Sequence, residues 1–214
     1  MKAWRILIAA IAVTGPLLQY GLMLEGETLT SGIAKSVEFF SYFTIISNLL
    51  AAVVLTAPLV APRSALALWC EQTPPRVATA VYLAITAGIY HTLLASQWDP
   101  QGWRLVSDTL LHTVTPALFL LDWLARGGVG PVVWRAVPKV LILPTAYGVW
   151  TLLHGALSGF YPYPFMNVAK RGYPAVLVTM VVMAIGFLVV AAVFTALHQT
   201  RARVAQRSRE PLSA

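Results

Sequence analysis

The stretch VEFFSYFTIISNLLAAVVLTAPLV, residues 37–60, is a mostly apolar run of 24 residues. A helix of about 20 apolar residues matches the hydrocarbon thickness of a bilayer, so the run reads as a membrane span. It also carries polar groups at helical spacing. Ser41 precedes Thr44 by three positions and Asn48 follows it by four, which puts the three on one face of a helix. Polar groups in lipid are costly, so a hydroxyl there invites a search for a partner.

The rest of the chain supports the membrane reading. Of its 214 residues, 58% are hydrophobic and 11% charged. A soluble domain carries about 25% charged residues. Five further segments are long and apolar enough to span: 3–24, 76–96, 105–125, 136–157 and 174–198. The first lacks a small-x-small cleavage site after its apolar run and is therefore read as a span rather than a signal peptide. Trp4, Trp69, Trp98, Trp103 and Trp134 fall at the expected interfaces. The predicted architecture is all-α: a six-helix polytopic transmembrane domain over 1–200, then a basic tail over 201–214. The net charge of +7 comes from residues mostly between and after the apolar runs. Membrane lipids are the expected partners, and nucleic acid is not.

Lys and Arg set the orientation. With the N-terminus cytoplasmic, eleven of the fifteen basic residues fall in inside segments. The outside loops then hold Lys35, Arg104, Lys170 and Arg171. Both termini are therefore predicted to be cytoplasmic. With that topology the second and fourth spans both descend from the outer face. Thr44 and His112 each lie about seven residues in, roughly 10 Å below the boundary.

Intramembrane ionisable residues are functional candidates by default. Asp108 lies four positions before His112 and Thr115 three after. Asp108 is placed to orient the imidazole, leaving the other ring nitrogen as a base for the Thr44 hydroxyl. Asn48 is a candidate donor to an oxyanion. Pro116 lacks the N–H that would bond the His112 carbonyl, so a kink is expected at this point. His91 and His154 near the outer span ends are candidates for a cavity wall or for interface positions. The outer loop around Tyr161 and Tyr163, stiffened by Pro162 and Pro164, is a candidate cap over a cavity or an interfacial belt.

Ser-Tyr-Phe-Thr-Ile-Ile-Ser-Asn-Leu-Leu at 41–50, His-Thr-Val-Thr-Pro at 112–116, Asp122-Trp123 and Tyr-Pro-Tyr-Pro-Phe at 161–165 occur in one order along the chain. Together with six spans they resemble the androgen-induced protein family, in particular its bacterial branch. Animal members of that family are multi-pass threonine hydrolases that cleave fatty acid esters of hydroxy fatty acids. The resemblance implies a Thr44 nucleophile, a His112 base, a lipid ester substrate and a place in the bacterial inner membrane.

The expected activity is thus carboxylic ester hydrolysis through an acyl-threonine intermediate, which requires no metal and no cofactor. Two other classes fit the same sequence. A b-type haem protein would use two of His91, His112 and His154 as axial ligands. A non-enzymatic lipid-binding protein would keep the cavity without the chemistry. On the topology, an impermeant amine reagent applied to intact cells is expected to label Lys170 and spare a lysine fused to the C-terminus. The reverse pattern would overturn the orientation.

Overall fold

The computed structural model describes residues 2–207. Among these, every regular element is helical. The order is α1 (Lys2–Leu24), α2 (Leu29–Phe40), α3 (Phe43–Val60), α4 (Ala65–Glu71), α5 (Thr73–Ile89), α6 (Trp103–Thr109), α7 (Thr115–Arg126), α8 (Ile142–Ser158) and α9 (Val168–Arg207). Five helical stretches are long and apolar enough to cross a membrane: Lys2–Leu24, Phe43–Val60, Thr73–Gln97, Trp134–Ser158 and Val168–Val204. The segment expected at 105–125 is helical as well, but it is divided into α6, a π turn at Leu110–Val114, and α7. Of the tail expected over 201–214, the part up to Arg207 continues α9, and 208–214 lies outside the described residues.

The run at 37–60 is two helices rather than one. α2 ends at Phe40, Ser41 caps it, and Tyr42 adopts extended backbone (φ −90°, ψ 127°) before α3 begins. Tertiary packing overrides the local pattern here. The Tyr42 ring stands edge-on to Phe160 and Tyr163, 5.9 Å from each, so the loop between α8 and α9 holds the break open. Thr44 therefore sits in the first turn of α3 instead of deep inside a continuous span.

Pro116 acts through a change of helix register. The chain ahead of it winds as a π turn, with the Thr115 N–H bonded to the Leu110 carbonyl, and the proline enters α7 in its first turn. α5 also runs into a π turn, at Tyr90–Leu94. Single π turns of this kind are frequent at functional sites.

Small side chains let the bundle close. Ala12 on α1, Ala51 on α3 and Ala80 on α5 have no exposed surface, and such residues allow membrane helices to approach backbone to backbone. An aromatic cluster of Phe43, Tyr82, Tyr147 and Phe187 fills the space between α3, α5, α8 and α9 with edge-on contacts of 5.2 to 6.0 Å.

Buried charge fixes the register of α5 against α7. Asp122 has no exposed surface. Its carboxylate takes the Arg76 guanidinium at 2.6 Å, the Trp4 indole N–H at 3.0 Å, and the Arg126 guanidinium one turn away. Arg76 also donates to the Gly127 carbonyl. Fourteen residues along from each member of the Arg76–Asp122 pair, Tyr90 donates its hydroxyl to Asp108. The two polar pairs stand roughly 20 Å apart along the bundle, and one register satisfies both.

Removing one member of a buried charge group is expected to be costly because it strands the others. Asp122→Ala should destabilise the detergent-solubilised protein by about 3–5 kcal/mol. Asp122→Leu combined with Arg76→Leu should recover part of the loss, measured by thermal melting. A single variant as stable as the parent would remove the Asp122 group from its structural role.

Candidate active site

Thr44 and His112, separated by 68 residues in sequence, meet with Oγ1 3.3 Å from Nε2. On the far side of the ring, Nδ1 lies 3.1 Å from the Asp108 main-chain carbonyl and 3.1 Å from Asp108 Oδ1. A carbonyl oxygen only accepts, so Nδ1 carries the proton and Nε2 is the free acceptor. The Thr44 hydroxyl then donates to Nε2. Only the carbonyl is aligned as a hydrogen-bond acceptor; Oδ1 finds no aligned donor and faces the imidazole as a nearby negative charge.

Tyr90 completes the support of the ring. It stacks on His112 with centroids 3.8 Å apart and planes 11° from parallel, and its hydroxyl donates to Asp108 Oδ2. The π turns bring these groups face to face: one begins at Tyr90 and the other contains His112. Tyr90 was not among the residues expected from the sequence. The signal that was there is its fourteen-residue spacing from Arg76, equal to the spacing of Asp108 from Asp122.

Tyr163 arrives from the loop between α8 and α9. Its hydroxyl is 3.2 Å from Thr44 Oγ1 and accepts the Thr44 N–H at 3.2 Å. That N–H is one of the first in α3, where backbone donors lack helical partners and the helix dipole is positive. The next two, at Ile45 and Ile46, bond the Tyr42 carbonyl. Burial pushes the Tyr163 phenol above its ordinary titration range, so it keeps its proton and remains a donor. One consistent chain follows: Thr44 N–H to Tyr163, Tyr163 O–H to Thr44 Oγ1, Thr44 O–H to His112, and His112 Nδ1–H to Asp108.

A cavity of about 450 Å3 opens onto Thr44, Tyr90, Asp108, His112 and Tyr163. A second, apolar cavity of about 130 Å3 lies against Thr44 and Tyr163, walled by Phe43, Leu141, Met180 and Phe187. Thr44 and Tyr163 stand where the two meet.

The other expected residues take different places. Asn48 is fully buried and spends its amide protons on the Thr44 carbonyl at 2.8 Å and the Leu111 carbonyl at 3.0 Å. It ties α3 to the π turn beside His112 and has no donor left for an oxyanion. Ser41, in the break before α3, faces α8 and leaves the face of Thr44. Its hydroxyl takes the Trp150 indole N–H at 2.9 Å and lies 3.3 Å from His154 Nδ1. His154 stacks on Trp150, with centroids 5.3 Å apart. His91 is exposed and bonds Thr113 Oγ1 at 3.0 Å. Thr115 is buried, with no partner for its hydroxyl among the described residues. Tyr161 packs on Gly155, where an added Cβ would come within 2.1 Å of its ring, so it pins the loop to α8. His112 lines the larger cavity; His91 and His154 do not.

A scan against protein-family models, a search of curated proteins and a search of solved structures each returned no match. The chemical assignment of this site therefore rests on its geometry. The tautomer is directly measurable. With 15N-labelled histidine, His112 in the neutral state is expected to show a protonated Nδ1 and an unprotonated Nε2. The opposite pattern would remove Nε2 as a base.

Proposed function

We propose that the protein is an intramembrane hydrolase of lipid esters, with Thr44 as nucleophile and His112 as general base. The observation that carries this reading is the chain from the Thr44 hydroxyl through the His112 imidazole to the Asp108 main-chain carbonyl, with the Asp108 carboxylate beside the ring, at the wall of a cavity. The distances are within the range of catalytic hydrogen bonds in unliganded sites.

Nε2 of His112 takes the Thr44 proton as Oγ1 attacks the ester carbonyl carbon. The imidazolium that forms is stabilised by Asp108 Oδ1 and by the stacked Tyr90 ring. When the substrate carbonyl displaces the hydrogen bonds between them, the Thr44 N–H and the Tyr163 phenol become the donors to the developing oxyanion, in place of Asn48. Collapse of the tetrahedral intermediate breaks the bond to the alcohol oxygen, which takes the proton from His112. Water, deprotonated by the same nitrogen, then releases the acid and regenerates Thr44.

The apolar cavity beside Thr44 suits an acyl chain, and the resemblance to the androgen-induced protein family points to fatty acid esters of hydroxy fatty acids or similar esters. In this reading the chain crosses the membrane six times, with α6, the π turn and α7 together forming the fourth pass. Both termini face the cytoplasm, and the site lies toward the outer leaflet of a bacterial inner membrane.

Thr44→Ala and His112→Ala are each expected to lower ester hydrolysis by about 10³-fold or more while the protein remains folded, and the double variant should be little worse than either. Thr44→Ser should retain part of the activity. Tyr163→Phe should reduce kcat by about 10²-fold through loss of one oxyanion donor. Full hydrolysis by folded Thr44→Ala would falsify the mechanism. Lipid recovered intact from wild-type protein would make the cavity a binding site without chemistry, and a Soret band in the purified protein would turn the reading to haem.

A further inference from the structure

At the end of the bundle opposite Thr44, a groove of about 560 Å3 is lined by Lys2, Arg5, Arg76 and Arg126, with Glu71 as its carboxylate. The cations come from separate elements: the start of α1, the first turn of α5 and the end of α7. Asp122, buried beneath them, is the second acid in contact with this group. Four positive charges against two negative ones leave the groove with a surplus of two.

Their donors are not all used. Arg76 spends Nε on Gly127 and Nη2 on Asp122. Arg126 spends Nη2 on Asp122, while its Nε is buried without an acceptor. Arg5 holds Glu71 through Nη2 at 3.1 Å. Arg5 and Arg126 keep about a quarter of their side-chain surface exposed, at 25% and 24%, so an incoming group can reach them.

Orientation in the membrane requires basic residues in the loops; it does not require them to converge on one concavity. Convergence matches an anion with several acceptor oxygens, which guanidinium forks bind through paired hydrogen bonds. Part of the lining is apolar. Pro58 and Leu59, in the last turn of α3, and Val129 contribute to it, and Val129 and Val60, which follows Leu59, are 61% and 81% exposed. That apolar rim suits the chains of a lipid whose headgroup sits among the cations.

We propose that this groove binds a phosphate-bearing anion, presented as a phospholipid headgroup or as free phosphate. The full-length protein in a neutral maltoside detergent would be titrated at fixed ionic strength with dihexanoylphosphatidylglycerol, zwitterionic dihexanoylphosphatidylcholine and inorganic phosphate. Binding would be read by native mass spectrometry and thermal melting. Saturable binding of phosphatidylglycerol with a raised melting temperature, and a much weaker response to phosphatidylcholine, is expected. A response to inorganic phosphate as strong as that to phosphatidylglycerol makes free phosphate the ligand; its absence makes the headgroup the ligand. Lys2→Gln should weaken the affinity about fivefold, which corresponds to ~1 kcal/mol per surface cation. Glu71→Gln should strengthen it by a similar factor, a gain that misfolding does not produce. Equal responses to the two lipids, no response to either phosphatidylglycerol or phosphate, or an affinity unmoved by both substitutions would overturn the proposal.

Discussion

A carboxylate with no exposed surface, Asp122, is held by an indole and two guanidinium groups. An unpaired charge in that position would be prohibitive, and a paired one is tolerable only while every donor stays in place. The group therefore acts as a lock. It joins α1 to α7 through Trp4 and α5 to α7 through Arg76. A sliding of α5 against α7 by one residue would break it, whereas an apolar contact would absorb such a shift at small loss. This is the best-attested use of buried charge: it selects a register more than it adds stability.

That register reaches the other end of the bundle. Fourteen positions away from Arg76 and Asp122 stand Tyr90 and Asp108, and they too form a polar pair. The two π turns then re-aim the side chains around this second pair. A π turn inserts one residue into a helix and rotates the side chains beyond it, so His112 is turned over Tyr90 and toward the first turn of α3. The site is thus carried on helices whose relative height is set by a charge group about four turns away. Rigid supports of this kind hold a hydroxyl and an imidazole in one geometry better than loops do.

The break at Ser41–Tyr42 has a chemical consequence. Within a continuous helix, the Thr44 N–H would bond a carbonyl four residues back. At the start of a new helix it is an open donor beside the Thr44 hydroxyl, and the Tyr163 phenol fills it. A backbone donor of this kind in low-dielectric surroundings strengthens any charge interaction it makes. The α8–α9 loop that supplies Tyr163 also maintains the break, through the contacts of Tyr42 with Phe160 and Tyr163.

The helical, membrane-compatible class is legible in composition alone, because apolar runs of this length and a charged fraction of 11% leave few other folds open. It also singled out Thr44, His112 and Asp108, because polar groups spaced one turn apart in apolar helices are conspicuous. Tyr163 was visible only as part of a proline-stiffened loop, and its contact with Thr44 depends on how that loop folds back. Helix packing is what joins Ser41 to His154 and Trp150, ties Asn48 to two carbonyls, and sets Tyr90 against the imidazole. Periodicity assigns a residue to a face of one helix. It carries no information on where that helix breaks or winds as a π turn, since both depend on contacts from distant elements, such as Phe160 against Tyr42. The pairing of Arg76 with Asp122 is of the same kind: each charge is legible alone, and the register that joins them exists only once the helices pack.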